Sequence, residues 1–189
     1  MGIDESGRGP WAGPVVVCGV VLDPHKPISG LKDSKKLSAK QREKLRELIL
    51  ANALLVIIKE IEVDVIDKIN ILAATLKAMA LVIKEALSHH LPLEKVWIDG
   101  NHVPIIDDPI VLHPLIKGDN IIPSIMAAAI VAKTHRDNLM YNLDKLYPHY
   151  GFKDHKGYGT LKHREAIKKF GPCVEHRMSF SPLKDKIWL

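Results

Sequence analysis

Three apolar segments of this sequence end in the same way, at an acidic residue with a glycine nearby. The acids at the three ends are Asp4 with Glu5, Asp99, and Asp119. Short β-branched segments bounded by glycine and turn residues are typical of buried strands. In open α/β sheets the binding sites lie at the edge where strand ends gather. The repetition therefore predicts a sheet with several carboxylates at one edge.

The first acidic pair is followed by a glycine-rich loop with a cation, Gly7-Arg8-Gly9. Side chains alternate along a strand, so Asp4 and Glu5 would point to opposite faces if the strand stayed regular. The glycines favour an end to the strand here, and a bend could bring both acids to one rim. A solvated strand end followed by a turn is the other interpretation of this segment.

The remaining segments alternate between strand and helix patterns. Further strands are predicted at 15–22 and 53–61, and helices at 38–52, 64–87 (as one helix or two short ones), 123–146 and 160–170. Ser38 with Gln41 forms a capping box, and Pro123 suits a first helical turn. The pattern predicts an α/β fold with a mixed β-sheet flanked by helices and a helical C-terminal region. We expect a single domain over 1–189.

Composition limits the class of partner. With 26% charged and 47% apolar residues, the chain has ordinary globular composition, without the run of about 18 apolar residues that a membrane span needs. No secretion signal is visible, and two cysteines without a pattern indicate free thiols in a reducing cytoplasm. The net charge of +5 favours an anionic partner, whereas 5% aromatic residues argue against a stacking platform for single strands.

The four acids indicate a site for a hard divalent cation. Mg²⁺ binds a few carboxylates together with water and substrate phosphate. Two such ions about 4 Å apart can activate water and stabilise the leaving oxygen of a phosphodiester. A single acid after a strand is more often a turn residue or a helix cap. The threefold recurrence beside Gly-Arg-Gly favours the cation site.

Several ordered motifs make the chain resemble type 2 ribonuclease H (ribonuclease HII) of the bacterial branch. They are Asp4-Glu5-Ser6-Gly7-Arg8-Gly9-Pro10, Asp33-Ser34-Lys35-Lys36-Leu37, Ile98-Asp99-Gly100-Asn101, Lys117-Gly118-Asp119, the segment from Ala129 to Asp137, and His155-Lys156-Gly157-Tyr158-Gly159-Thr160. The closing His176-Arg177 with Ser179-Phe180 is similar to that branch as well. The resemblance covers nearly the whole chain and implies a ribonuclease H-like fold.

The resemblance also implies an activity. The family members are endonucleases that cut the RNA strand of RNA–DNA hybrids and cut 5′ of a single ribonucleotide in duplex DNA, leaving 3′-hydroxyl and 5′-phosphate ends. Such cutting serves ribonucleotide and RNA primer removal. By this resemblance Asp4, Glu5, Asp99 and Asp119 hold Mg²⁺ or Mn²⁺ in a two-metal mechanism. A cytoplasmic monomer that acts on hybrid or ribonucleotide-containing duplex, without a membrane partner, is expected.

Substrate contacts are implied in the same way. The backbone of Gly7, Arg8 and Gly9 would read the 2′-hydroxyl, and Tyr158 would pack on the sugar at the RNA–DNA junction. The 2′-hydroxyl is the group that separates RNA from DNA, and glycine lets a backbone approach closely. Three further residues are expected phosphate contacts, namely Ser34, Lys35 and Lys36. A small helical segment from about 148 would belong to the substrate-binding part of the domain.

Several alternatives stay open at the level of sequence. Asp137 is interpreted as a structural residue rather than a metal ligand, and Lys133 could face phosphate or solvent. The histidines lack the spacing of a zinc site, so His155 and His163 are expected to be solvated or to face substrate. A nucleic-acid-binding module without catalysis and a DNA-strand nuclease of the same fold are competing functions.

Overall fold

The computed structural model describes residues 1–186, and 187–189 of the predicted domain lie outside the described residues. Its strands are β1 (Gly2–Ser6), β2 (Val15–Val21), β3 (Leu55–Ile61), β4 (Lys95–Asp99) and β5 (Val111–Leu115). They form a sheet in the order β3-β2-β1-β4-β5. β1 is antiparallel to β2 and parallel to β4, which is parallel to β5. The carboxyl ends of β1, β4 and β5 therefore lie at one edge, and the predicted mixed sheet is confirmed.

The helices are α1 (Ala39–Asn52), α2 (Val63–Ile69), α3 (Ile71–Ser88), α4 (Pro123–Leu146), α5 (Phe152–His155) and α6 (Leu161–Phe170). The predicted capping box is present, because Ser38 Oγ accepts from the Gln41 amide at 3.3 Å and Gln41 Oε1 accepts from the Ser38 amide at 2.9 Å. The pattern over 64–87 is two helices, separated at Asn70, whose side chain accepts from the Ala73 amide and so begins α3. In the described chain, no helix is long and apolar enough to cross a membrane.

Two details differ from the sequence prediction. The strand expected from residue 53 begins at Leu55, because Ala53 still closes α1 by donating its amide to Ile49 O. The short helix α5 was not predicted, since four residues are too few for a helical periodicity to be visible.

The centre of the sheet is buried on both faces. Along β2, Val15 and Val17 pack towards α3, while Val16, Cys18 and Val20 pack towards α1 and α4. This alternation follows from the two-residue repeat of a strand, and burial on both faces explains why the whole of β2 is apolar. Ala127 and Ala128 of α4 lie in the second cluster and are fully buried, so α4 packs closely on the sheet.

A third apolar cluster joins the C-terminal elements to the beginning of the chain. Ala12 packs with Met140 of α4, Phe152 of α5, Ile167 of α6 and Leu183 of the tail. The backbone continues this contact, because the Trp11 amide donates to Gly157 O at 2.8 Å. The turn that carries Tyr158 is thereby attached to the loop that follows β1.

Candidate active site

The sheet topology brings the four acids together. Asp4 and Glu5 lie near the end of β1, Asp99 is the last residue of β4, and Asp119 lies in the 3-10 turn Gly118–Asn120 before α4. The acids share one cavity of about 400 Å³. Parallel pairing of β1 with β4 ends at Ile3 opposite Ile98, so the acids follow directly on a pair in register.

Both acids of β1 line this cavity although the strand continues through Ser6. The expected alternation does not separate them, because β1 has already left β4 at this point and is paired only with β2. The strand thus ends at Ser6, slightly later than the sequence indicated. The side of β1 that no longer pairs with β4 is open, and both acids reach the cavity there without a bend.

Burial and mutual repulsion disfavour negative charge at this edge. The pKa of Asp4, which is 7% exposed, is raised well above its ordinary value, first by burial and then by Glu5 and Asp99. Burial followed by the charge of Asp119 raises the pKa of Asp99. Burial also raises the pKa of Glu5, although Arg8 Nη1 lies 3.4 Å from Glu5 Oε1 and opposes the change. A bound cation would relieve this repulsion.

The donor set suits a cation that is shared with a substrate. Within residues 1–186, no group of three or more His, Cys, Asp or Glu side chains is arranged so that it could hold a metal ion by itself. Mg²⁺ is usually bound through one or two carboxylates, several waters and substrate phosphates rather than by an all-protein cage. Hard carboxylate oxygens at an open, repulsive edge fit that kind of site.

Ten of the eleven predicted site residues line the cavity. The exception is Lys36, whose Nζ donates to Asn120 Oδ1 at 2.8 Å outside the cavity wall. Lys35 does line it, with its Nζ 3.6 Å from Asp119 Oδ2. Lys133 of α4 also lines the cavity, and its contact with a phosphate stays a prediction.

Gly7 is constrained by its surroundings and Gly9 is not. Gly7 has φ +98°, and a Cβ at this position would lie 2.0 Å from Arg136 Nε. A Cβ on Gly9 would meet only the Tyr158 ring, at the ordinary contact distance of 3.6 Å. Glycine is therefore required at position 7 by the fold, whereas at position 9 the substrate-free protein leaves space beside Tyr158.

Asp137 lies behind the cavity and pairs with Lys133, which lines the cavity, and with Arg42, which does not. Lys133 Nζ is 2.5 Å from Asp137 Oδ1, and Arg42 Nη2 is 3.6 Å from Asp137 Oδ2. Arg42 also donates to the carbonyls of Ser34 and Leu37, at 3.2 and 2.7 Å. Asp137 thus connects the lysine on α4 to the Ser34–Lys36 turn. The spacing of four residues between Lys133 and Asp137 was the available sequence signal.

The expectation for two histidines was wrong. His155 and His163 are buried, at 8% and 0% exposure, and their rings stack at 4.3 Å between centroids. They pack among aromatic rings beneath the Tyr158 turn rather than facing solvent or substrate. The buried Arg136 and Arg177 lie within motifs that the sequence showed, but no role was predicted for either. Their partners are backbone carbonyls, which the residue pattern does not identify.

A mixed sheet with helices on both faces, and an acidic edge beside a glycine-rich cationic loop, defines a ribonuclease H-type hydrolase. The family model "Ribonuclease HII" matches residues 1–182, and the chain belongs to the ribonuclease HII family. This family cleaves RNA in RNA–DNA hybrids.

Individual relatives agree with this assignment. The curated ribonuclease HII of Francisella philomiragia is 47% identical over 184 residues, covering 97% of each chain. The ribonuclease H2 structure of Pyrococcus horikoshii superimposes with a TM-score of 0.75 at 25% identity, covering 97% of this chain and 94% of that one. A structure of Bst-RNase HIII in complex with Mn²⁺ shares the fold, with a TM-score of 0.72 at 19% identity, 97% coverage of this chain and 67% of that one.

Proposed function

We propose that this chain is a metal-dependent endonuclease that cuts the RNA strand of RNA–DNA hybrids and also nicks 5′ of a single ribonucleotide in duplex DNA. The products would carry 3′-hydroxyl and 5′-phosphate ends. The observation that carries the proposal is the shared cavity. It joins the four acids to the Gly7–Gly9 loop and to Tyr158 within about 400 Å³.

Asp4, Glu5, Asp99 and Asp119 are the residues proposed to hold Mg²⁺ or Mn²⁺. When bound, a pair of such ions supplies an activated water and stabilises the leaving oxygen in phosphodiester hydrolysis. The raised pKa values of Asp4, Glu5 and Asp99 support this assignment, because carboxylates that repel each other gain most from a cation. The manganese complex of Bst-RNase HIII, a protein of the same fold, is consistent with it.

The cations around the cavity are proposed to hold the phosphate backbone. Arg8, Lys35 and Lys133 line the cavity beside the acids. Ser34 lines it as well, on the same turn as Lys35, and would add a hydroxyl contact. Lys36 lies outside the wall, so it would contact a phosphate farther along the strand. These cations would neutralise phosphate charges along a bound strand.

Selectivity for a ribonucleotide is proposed to come from the loop and Tyr158. The backbone of Gly7, Arg8 and Gly9 would read the 2′-hydroxyl, and the Tyr158 ring would pack on the neighbouring sugar. The Tyr158 ring lies beside Gly9, with 47% of the residue exposed in the absence of substrate. An exposed aromatic ring next to a glycine is available to a sugar without rearrangement of the loop.

The proposed setting follows the family. We propose a cytoplasmic monomer that removes ribonucleotides and RNA primers from DNA, and that acts on RNA–DNA hybrid and ribonucleotide-containing duplex. The C-terminal segment from about 148 is proposed to belong to the same domain and to support substrate binding. Its packing on Ala12 and its bond from the Trp11 amide support that proposal.

A duplex with one ribonucleotide in a labelled strand tests the activity. With Mg²⁺, the wild type should nick on the 5′ side of the ribonucleotide and leave the matched all-DNA duplex intact. Asp99→Asn should slow nicking by at least about 100-fold. Loss of a group that only supports a metal ligand already lowers activity by about 10- to 100-fold, and loss of a ligand should lower it at least as much. The control is Asp107→Asn, at an exposed loop acid outside the cavity, which should keep full activity.

Three results would contradict the proposal. Failure to nick with both Mg²⁺ and Mn²⁺, despite tight hybrid binding, would indicate a binding module. Equal cutting of the all-DNA duplex would indicate a DNA-strand nuclease. Unchanged nicking by Asp99→Asn would remove the carboxylate edge from the reaction.

A further inference from the structure

Arg177 is a buried cation that the proposed chemistry does not use. The residue is fully buried in the C-terminal tail, between the turn at Cys173–His176 and the segment that follows it. A buried arginine is normally paired with a carboxylate. In the described chain no carboxylate lies within ion-pair distance of this guanidinium, and its hydrogen bonds all go to backbone carbonyls of the loop after β1.

The guanidinium donates hydrogen bonds to four backbone carbonyls of that loop. Nη2 donates to Gly7 O and Gly13 O, each at 2.7 Å, and Nε donates to Gly13 O at 2.9 Å. Nη1 donates to Pro10 O at 2.9 Å and to Arg8 O at 3.1 Å. Every N–H that a guanidinium possesses is thereby used within one loop.

These bonds determine where the loop amides point. In a planar trans peptide the N–H lies opposite the C=O. Capture of Gly7 O and Arg8 O by the buried guanidinium therefore turns the N–H groups of Arg8 and Gly9 away from Arg177. Both residues line the cavity, and within residues 1–186 neither amide has a protein acceptor. Two backbone donors are thus free beside the acids.

The surrounding contacts hold Arg177 in place. Its own amide donates to Trp11 O at 2.7 Å, and the Gly13 amide donates to Glu175 O at 2.9 Å. Asp67 of α2 accepts from the Met178 amide at 2.8 Å, which anchors the tail directly after Arg177. Burial lowers the pKa of Arg177 to about 9, with a further contribution from nearby Arg136, so the guanidinium stays charged at neutral pH.

We infer that Arg177 is a positioning residue for ribonucleotide selectivity, which holds the carbonyls of Gly7 and Arg8 so that the next two amides face the 2′-hydroxyl. The inference rests on the proposed function. It adds to the substrate-recognition residues one that lies more than 160 positions away from the loop that it holds. Arg177 touches neither the substrate cavity nor the acids. Its effect reaches the substrate only through the loop.

The test compares two affinities in metal-free buffer, where no strand is cut. One duplex carries a single ribonucleotide and the other is the matched all-DNA duplex, and the ratio of their Kd values measures recognition of the 2′-hydroxyl. Hydrogen bonds of this kind are worth about tenfold in total affinity. Arg177→Met should bring the ratio close to one. Arg177→Lys keeps the charge without the fork of donors, and should lower the ratio partway.

The ratio separates positioning from general stability. A variant that is partly unfolded loses active protein for both duplexes equally, which leaves the ratio unchanged. Arg46→Lys is the matched control, because Arg46 pairs with Glu43 on α1 outside the cavity, and its ratio should equal that of the wild type. If Arg177→Met does not fold, Arg177→Lys decides the question by the same ratio.

The outcomes distinguish this inference from the proposed function. A wild type that nicks the ribonucleotide duplex, together with Arg177 variants whose ratio is unchanged, overturns the role of Arg177 alone. The same holds if the nicking wild type has a ratio of one. A wild type that neither nicks nor prefers the ribonucleotide overturns the proposed function and this inference with it.

Discussion

Two tyrosines with nearly equal exposure lie in the C-terminal half, and only one of them lines the cavity. Tyr158 is 47% exposed and Tyr141 is 46% exposed. The Tyr141 ring is covered by Lys156 Nζ at 4.0 Å, whereas the Tyr158 ring faces Gly9. Tyr158 is also fixed through its backbone, because its carbonyl is bonded by His163 Nδ1 at 3.0 Å. Tyr141 therefore serves as a control for Tyr158, because removing it tests the general effect of losing an exposed tyrosine ring.

Tyr158→Ala should reduce cutting at a single ribonucleotide by about tenfold, equivalent to about 1.4 kcal/mol. The reason is loss of the proposed packing against the junction sugar, while the acids stay in place. The Mg²⁺ concentration that gives half-maximal rate should therefore be unchanged. Steady-state rates on the one-ribonucleotide duplex, measured over a Mg²⁺ titration, check this prediction. Tyr141→Ala should behave as the wild type, and a full rate for Tyr158→Ala would refute the assigned role.

At the residue scale, the sequence could predict a role for side chains whose function follows from their residue type. Asp4, Asp99 and Asp119 could be grouped because a carboxylate at each strand end is visible in one dimension. Arg177 could not be assigned in this way. Its partners are peptide carbonyls, which every residue has, and they lie 164 to 170 positions away. Only the folded chain shows which carbonyls a buried guanidinium meets.

The elements α5 and α6 and the tail enclose three histidines in a defined hydrogen-bond network. His155 Nε2 lies 2.9 Å from Tyr150 O, and the Gly157 amide donates to His155 Nδ1. His163 Nε2 lies 3.0 Å from His176 Nε2, and His176 Nδ1 accepts from the Cys173 amide. With one ring nitrogen donating and the other accepting, each histidine is satisfied in its neutral form. The network supports the turn that carries Tyr158.

These histidines should make the protein less stable as the pH falls. Burial is the largest cause that lowers the pKa of His163 to about 3 and of His176 to about 4, whereas the unfolded value is 6.5. A depressed histidine pKa means that the unfolded chain binds protons first, so stability is complete above pH 6.5 and declines below it. Between pH 7 and 5, we expect His163 and His176 each to lower the free energy of unfolding by about 2 kcal/mol. Denaturant unfolding at both pH values measures the loss.

A variant identifies the source of this pH dependence. His176→Gln retains a donor towards His163 but cannot take up the proton, so about half of the loss attributed to the pair should disappear. The exposed His25→Gln serves as the control and should retain the wild-type pH dependence. The raised pKa values of Asp4 and Asp99 act on wild-type stability in the opposite direction, so the comparison between variants decides. The same change in stability between pH 7 and pH 5 for His176→Gln as for the wild type would contradict the prediction.

At the element scale, what could be predicted depends on whether a segment has a period. The capping box at Ser38, the start of α4 at Pro123 and the strands near Val15 and Lys95 were visible from residue type and spacing. The C-terminal tail shows neither the helical repeat nor the two-residue strand repeat of apolar residues. It is ordered by contacts with distant elements instead, such as Ser179 Oγ donating to Asp67 Oδ1 at 2.6 Å.

At the scale of the whole molecule, the acidic edge joins parts of the chain that are far apart in sequence. Asp4 comes from the first strand, Asp99 from the fourth, and Asp119 from the turn that begins α4. In the absence of a cation these elements are held together by the sheet, against the repulsion between their carboxylates. A cation bound here would therefore stabilise the fold as a whole, since the unfolded chain cannot present this set.

Divalent metal should accordingly raise the melting temperature at neutral pH. At a concentration about 100 times Kd the gain is about 2.7 kcal/mol, or roughly 5–10 °C for a protein of this size. Asp4→Asn should raise the metal-free melting temperature, because it removes one repelling charge while its Oδ1 still accepts from the Glu5 amide. The same variant should lose most of the gain from Mg²⁺ or Mn²⁺, which thermal scans in EDTA and in metal will measure. Asp107→Asn should match the wild type in both conditions, and an equal metal response of Asp4→Asn would place the cation elsewhere.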